Sequence, residues 1–177
     1  AMYGFKSGSG CDTVWPRENP AMPRFAANLS MLFAEYPFAE RFAAAAKAGF
    51  AAVEFHFPYD FPAHEIKRWL RDAGLINVLF NMPPGDWAAG ERGIASLPGR
   101  EQEFRDGVQQ ALDYALGLGT PNLLVMSGVL PEGAERELHR RVFLENLRYA
   151  ARRLAEQGLT MLIEPINQRD MPGIFLE

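Results

Sequence analysis

The stretch LTMLIEPIN, Leu159–Asn167, has the pattern of a buried parallel strand that ends in a carboxylate. Its apolar run is what a parallel strand covered on both faces requires. Glu164 stands where that run stops, and Pro165, which cannot donate to a sheet ladder, should end the strand. The carboxyl end of a buried parallel strand is where α/β barrels carry their chemistry. We therefore predict that Glu164 binds a divalent metal and also transfers a proton.

Upstream of this stretch, a unit of strand, helix and glycine repeats along the chain. Each helix is followed by a glycine that should adopt the left-handed conformation at a helix C-terminus. This order is typical of parallel βαβ units with right-handed crossovers. The predicted strands are Arg24–Leu29, Phe50–Phe55, Leu75–Phe80 and Asn122–Met126, the predicted helices are Phe38–Ala48, Ala63–Ala73, Arg100–Leu118 and Ala134–Gln157, and the glycines are Gly49, Gly74, Gly119 and Gly158.

A (β/α)8 TIM-barrel type of α/β fold explains this pattern better than a doubly wound sheet. A doubly wound sheet needs a glycine-rich loop after its first strand, whereas Ser30–Pro37, SMLFAEYP, has no glycine. A closed barrel needs eight strands and eight helices in about 250 residues. Only about five βα units are visible, and a fifth helix should begin at Gly173–Glu177. Residues 22–177 thus correspond to the N-terminal two thirds of a barrel, which a homo-oligomer or a complementing chain would close, unless the chain is a fragment.

Composition narrows the class of protein. The chain has 177 residues, is 48% hydrophobic and carries a net charge of -4, which indicates one soluble domain with a real core. Its arginines are interspersed with glutamates, so we expect no nucleic-acid surface. No apolar run approaches the ~20 residues that span a bilayer. The single cysteine, Cys11, excludes an intramolecular disulfide and favours a reducing compartment, so we expect a cytoplasmic protein without a membrane partner.

Residues Ala1–Ala21 differ from the rest of the chain. They contain the flexible segment SGSG, Ser7–Gly10, and show no hydrophobic period. One interpretation is a leader that does not belong to the domain. The other is a segment that packs on the domain through its aromatic residues, Tyr3, Phe5 and Trp15.

Four motifs resemble one enzyme family. They are NLSMLF at Asn28–Phe33, VEFHFPYD at Val53–Asp60, NMPPGDWAAGERGI at Asn81–Ile94 and IEPINQRDMPGIFL at Ile163–Leu176. Together they resemble the hydroxypyruvate isomerases of the xylose-isomerase-like TIM-barrel superfamily, which also includes sugar epimerases and 2-oxo-tetronate isomerases. The resemblance covers Met22 to Glu177 and implies that the C-terminal part of the barrel is missing.

The resemblance implies a metal-assisted isomerase of the aldose–ketose type in carbohydrate metabolism. Hydroxypyruvate and tartronate semialdehyde would interconvert through an enediolate, with Mg²⁺ or Mn²⁺ stabilising the developing oxyanion. The family motif places one metal ligand on Glu164, and implies an aspartate, a Gln or His, and a second glutamate on later strands. The alternatives are a sugar-acid epimerase or isomerase of the 2-oxo-tetronate type, and a barrel fragment that is catalytically incomplete.

Other polar residues at strand ends are candidates for binding a small hydroxy-oxo acid. His56, Asn28 and Asn81 either orient substrate hydroxyls or form a polar rim, and Glu54 should share a polar network with His56. Arg92 is the candidate partner of the substrate carboxylate, unless it pairs with Glu91 or Asp86 within its own loop. Further candidates follow the last strand: Arg169 and Asp170, of which Arg169 could instead pair with Glu164. His64 and His139, on helices, are predicted to be surface residues.

Overall fold

The computed structural model describes residues 23–177, so the predicted leader lies outside the described residues. Five parallel strands form one sheet in the order β1-β2-β3-β4-β5, and helices connect successive strands. The predicted barrel-type α/β architecture is confirmed. The strands are β1 (Ala26–Asn28), β2 (Ala52–Phe55), β3 (Ile76–Asn81), β4 (Asn122–Val125) and β5 (Thr160–Ile163), and the helices are α1 (Phe38–Lys47), α2 (Ala63–Ala73), α3 (Glu101–Leu118) and α4 (Arg136–Ala155).

The glycines that follow the helices have the predicted left-handed backbone. Their φ angles are 91° at Gly49, 67° at Gly74, 79° at Gly119 and 71° at Gly158. A residue with a side chain would be strained at these angles, so glycine lets each helix turn directly into the next strand. All four helix stops predicted from the sequence are therefore confirmed.

An aromatic cluster fills the space between the sheet and the first two helices. Phe55 of β2 packs against Phe38 and Phe42 of α1, with ring centroids 5.5 and 6.1 Å apart. Phe42 and Phe55 are almost completely buried, and Trp69 of α2 joins them. Because side chains alternate along a strand, the burial of Val53 and Phe55 on this face directs Glu54 and His56 to the opposite face.

Strand β3 contains an irregularity that changes its register against β2. Val53 is opposite Asn77, but Glu54 is opposite Leu79, so β3 carries one extra residue. The Asn77 amide is buried there and donates to the carbonyl oxygens of Val53 and Leu79, both at 3.2 Å. Thr120 donates to the Asn77 Oδ1 at 2.7 Å, so the irregular backbone is held by a satisfied polar cluster.

Three expectations from the sequence are wrong. Strand β5 is not covered on both faces: it is the edge of the described sheet, and Leu162 and Ile163 are 36% and 45% exposed. Residues 173–177 form no helix, because Ile174 bridges to Val129 and its neighbours bond to the loop after β4. His139 is 6% exposed rather than on the surface, since it lies on the buried stripe of α4, whereas His64 is exposed as predicted.

Candidate functional site

The polar side chains predicted at strand ends lie along one edge of the sheet. Asn28 ends β1 opposite Glu54, and the Asn81 backbone N–H at the end of β3 donates to the His56 carbonyl at 2.8 Å. Glu164 directly follows β5, whose last residue, Ile163, is opposite Val125. Parallel pairing therefore brings the ends of strands that are far apart in sequence to the same mouth.

A hydrogen-bonded network connects the ends of β1 and β2. The Asn28 amide donates to Glu54 Oε1 at 3.0 Å, while its own oxygen accepts from the Ser30 backbone at 2.9 Å. The His56 backbone donates to Ser30 Oγ at 2.8 Å. The network includes Glu54, as expected, but the side chain that donates to Glu54 is Asn28 and not His56. Because both polar atoms of the Asn28 amide already have protein partners, Asn28 fixes the neighbouring groups, and its contact with substrate stays a prediction.

His56 follows β2 and is half-buried. Burial lowers the pKa of His56, and the charges of Glu54 and Glu164 partly oppose that effect. At neutral pH its imidazole is therefore uncharged and has one donor and one acceptor nitrogen. Both residues directly follow strands of the same parallel sheet, His56 after β2 and Glu164 after β5.

Glu164 has a solvent-exposed carboxylate at this mouth. The alternative partner proposed for it, Arg169, instead forms an exposed ion pair with Asp170 at 3.3 Å. Asp170 is further held by Asn167, whose amide donates to the Asp170 carboxylate at 2.7 Å. The roles of Arg169 and Asp170 in substrate binding stay predictions, and both side chains are open to solvent.

Tyr59 is a structural part of the site that the sequence did not reveal. Its hydroxyl donates to the Asn81 carbonyl oxygen at 2.8 Å and so fixes the end of β3. Burial, followed by the neighbouring Tyr114, raises the pKa of Tyr59 well above its usual value, which keeps the phenol protonated. Tyr59 lies in an aromatic-rich loop after β2, and the sequence there does not distinguish a tyrosine that fixes the site from one that only fills the core.

Arg92 lies in the long loop after β3 and binds within that loop. Its guanidinium stacks 3.9 Å from the centroid of Trp87 and donates to the Trp87 and Glu91 carbonyls at 3.1 and 2.7 Å. The alternative of a pair with Glu91 within the loop is thus found, but it is made through the Glu91 backbone oxygen, and Arg92 also binds the Trp87 carbonyl and ring. A contact with the substrate carboxylate stays a prediction.

Ion pairs anchor the same loop to the start of α3. Arg100 donates to Glu91 at 2.7 Å and also pairs with Glu103. These hydrogen bonds are the main reason that the pKa values of Glu91 and Glu103 are lowered. Glu91 also accepts from the Asp86 backbone, so one carboxylate connects both halves of the loop to α3.

The metal expectation depends on very few groups in the described residues. Residues 23–177 contain no cluster of three or more His, Cys, Asp or Glu side chains that could hold a metal ion. The hard carboxylate of Glu164 fits one ligand position for Mg²⁺ or Mn²⁺, but these residues do not form a metal site by themselves.

In the described part of the chain, no helix is long and apolar enough to cross a membrane.

Comparison with known proteins identifies the family. The model of the xylose isomerase-like TIM barrel family matches residues 42–177, and the chain belongs to this family. Within it, the chain is 57% identical to a 2-oxo-tetronate isomerase of Cupriavidus necator and 52% identical to the hydroxypyruvate isomerase of Escherichia coli, each alignment covering 88% of this chain and 60% of the relative. The predicted resemblance is thereby confirmed.

A solved structure supports the same assignment. A Brucella melitensis protein called AP endonuclease, family 2, superposes with a TM-score of 0.85 at 60% identity, covering 88% of this chain and 60% of that chain. The chain thus spans about 60% of the length of these relatives.

Proposed function

We propose that this protein is an isomerase of small hydroxy-oxo acids that interconverts hydroxypyruvate and tartronate semialdehyde. The observation that carries the proposal is that the exposed Glu164 and the half-buried His56 directly follow β5 and β2, and so lie along the same carboxyl-end edge of the parallel sheet. The names of the relatives support the class of substrate.

The reaction requires a proton to move between adjacent carbons through an enediolate. Glu164 is exposed and lies near His56, so it can take the proton from a substrate carbon at the mouth and return it to the neighbouring carbon. Uncharged His56 can donate a hydrogen bond to a substrate oxygen. The Asn28–Ser30 network holds the His56 backbone in place during that contact. Bound Mg²⁺ or Mn²⁺, with Glu164 as one ligand, would stabilise the negative charge that develops on the substrate oxygens.

A 2-oxo-tetronate isomerase is the second candidate, because the Cupriavidus necator relative with that name is 57% identical. Its substrate is one carbon longer, and the reaction class is the same. The absence of a metal-binding cluster from the described residues favours a further alternative, a catalytically incomplete barrel that needs a complementing chain.

The test is an isomerisation assay of the purified protein with hydroxypyruvate and with 2-oxo-tetronate, each with added Mg²⁺ or Mn²⁺. We expect turnover of at least one acid and its loss with a chelator. No turnover, together with a monomeric mass and no bound metal, would support the incomplete barrel. An AP endonuclease assay in parallel tests the activity for which the Brucella melitensis protein is named. We expect none, because a metal site that cleaves phosphodiesters would need several histidines at strand ends, and His56 is the only histidine that directly follows a described strand.

A further inference from the structure

A cavity of about 290 Å³ lies between the loops that follow β1, β2 and β3. Its polar lining consists of Ser30, His56 and Asp60, and its aromatic lining includes Phe57 and Trp87. The lining also includes two stacked rings, Phe38 of α1 and Phe61 of the loop after β2. Because His56 lines this cavity and follows β2 at the same edge of the sheet at which Glu164 follows β5, the cavity lies at the edge that carries the proposed reaction centre.

Contacts within the protein hold the walls of this cavity. Trp87 is placed between the Arg92 guanidinium, 3.9 Å from its ring centroid, and the Phe57 ring at 5.1 Å. Ser30 is fixed by the His56 backbone and by the Asn28 amide. Since these contacts form without a ligand, the cavity needs little rearrangement to bind one.

The charge of the lining selects the kind of group that fits. The lining contains no lysine or arginine, and Asp60 is its one carboxylate. A carboxylate or phosphate of the substrate would lack a positive partner here and would be repelled by Asp60. Hydroxyl groups can donate to the Asp60 carboxylate and exchange hydrogen bonds with the Ser30 hydroxyl and the His56 imidazole. A volume near the lower end of the range for ligand pockets suits a short carbon chain.

From this geometry we infer that the cavity is a specificity pocket for the uncharged hydroxymethyl end of the substrate, with Trp87 as the determinant of chain length. The inference rests on the proposed function. 2-Oxo-tetronate ends in a hydroxymethyl carbon beyond the two reacting carbons, whereas the hydroxymethyl carbon of hydroxypyruvate is itself a reacting carbon. The extra carbon of 2-oxo-tetronate would occupy the pocket beside Trp87. Recognition of the longer acid should therefore depend on Trp87 more strongly than recognition of the shorter acid does.

The test compares Trp87→Ala with Trp87→Phe, which keeps an aromatic wall. The kcat/KM values for 2-oxo-tetronate and hydroxypyruvate are measured for each protein. One extra carbon group in a pocket is worth roughly 10- to 200-fold, so we expect Trp87→Ala to lower the ratio of the two kcat/KM values by about 10-fold or more. Trp87→Phe should keep that ratio within about threefold, because the aromatic wall remains.

Binding of two non-reacting acids, erythronate and glycerate, separates the pocket from the reaction. Calorimetry on the same proteins should show that Trp87→Ala weakens the binding of erythronate more than the binding of glycerate. This result would support the pocket even if no protein isomerises either acid, which would contradict only the proposed function. If Trp87→Ala lowers both affinities and both kcat/KM values equally, or changes none of them, the pocket does not select chain length and the inference is wrong.

Discussion

Glu164 carries the proposed chemistry, and little of the folded structure depends on it. Its carboxylate is exposed and lies at the end of an edge strand. A substitution there can therefore test the reaction without a large effect on the fold.

We expect Glu164→Gln to lower kcat by roughly 10²-fold or more, because an amide cannot accept the substrate proton. The free energy of unfolding should change by no more than about 0.5 kcal/mol, since the side chain is exposed. Steady-state kinetics and urea denaturation check both values. Glu40→Gln, an exposed carboxylate on α1, is the matched control and should change neither. A fully active Glu164→Gln protein would remove Glu164 from the mechanism.

The sequence allowed some of these residues to be placed and not others. Glu164 and His56 could be placed at strand ends because an apolar run followed by a polar residue marks the carboxyl end of a buried strand. The partner of Glu54 could not be predicted, because the contact with Asn28 depends on the register between β1 and β2. His139 was misplaced because a charged, arginine-rich helix hides its narrow buried stripe.

At the scale of elements, the loop from Asn81 to Gly93 is built around a close approach to β4. Gly93 has a φ of 101°, and a Cβ atom there would overlap the Met126 carbonyl oxygen. Gly90, in the same loop, has a φ of 95° with no atom near its would-be Cβ. The two glycines share a backbone conformation and differ in the space around them.

We expect Gly93→Ala to destabilise the protein clearly more than Gly90→Ala. Both variants are strained by a positive φ, at a cost of about 1–3 kcal/mol, but only Gly93→Ala must also move the backbone of Met126. The midpoint of urea denaturation measures the difference. Equal midpoints for the two variants would mean that the loop moves away from β4 at no cost.

The ion pairs of Arg100 predict a pH dependence at the same scale. The pKa values of Glu91 and Glu103 are lowered by Arg100, so their stabilising effect is present above the unfolded pKa of about 4.3 and is lost as the pH falls through the folded values. We expect Arg100→Gln to reduce the free energy of unfolding at pH 7 by about 1 kcal/mol or less, because the partners are partly exposed.

Urea denaturation at neutral and at acid pH tests this prediction. The difference between wild type and Arg100→Gln should shrink as the pH falls through the lowered pKa values of the two glutamates, and disappear once both are protonated. Arg71→Gln is the control, since Arg71 forms only an exposed pair with the adjacent Asp72. A difference that persists unchanged in acid would show that Arg100 acts through packing rather than charge.

At the scale of the whole molecule, β5 exposes both its backbone edge and its apolar side chains. It is the last strand of the described sheet, and Leu162 and Ile163 are open to solvent. Such an edge readily pairs with another strand. Within the described residues, β5 is therefore the place at which another strand would extend the sheet.

We expect Ile163→Lys to reduce self-association, because a charged side chain on an edge strand opposes strand pairing. The free energy of unfolding should stay within about 0.5 kcal/mol, since the side chain is already exposed. Light scattering over a range of protein concentrations measures the effect. Leu116→Lys, an exposed leucine on α3, removes similar apolar surface away from the edge and should have a smaller effect. Equal effects would point to general hydrophobic association.

The overall architecture could be predicted well because each helix stop and each buried strand has a local signal. The exposure of β5 could not be predicted. The apolar residues of Leu159–Ile163 indicate that the strand is suited to a buried position, but they do not indicate which other elements pack against it in this chain. A fifth helix was predicted to begin at Gly173–Glu177, but the bridge from Ile174 to Val129 is a tertiary contact without a local pattern.

The extra residue in β3 sets the parity of the strand. Two steps along β2, from Val53 to Phe55, correspond to three steps along β3, from Asn77 to Phe80. Odd and even positions therefore exchange faces within β3, and this exchange is what turns Asn81 to the same side as His56. Deleting Val78 would restore a regular count and leave Leu79 and Phe80 opposite Glu54 and Phe55, so Asn81 would keep its side. Counting regularly from Asn77 would instead assign Phe80 to the position beside His56, and so the wrong residue to the mouth of the barrel.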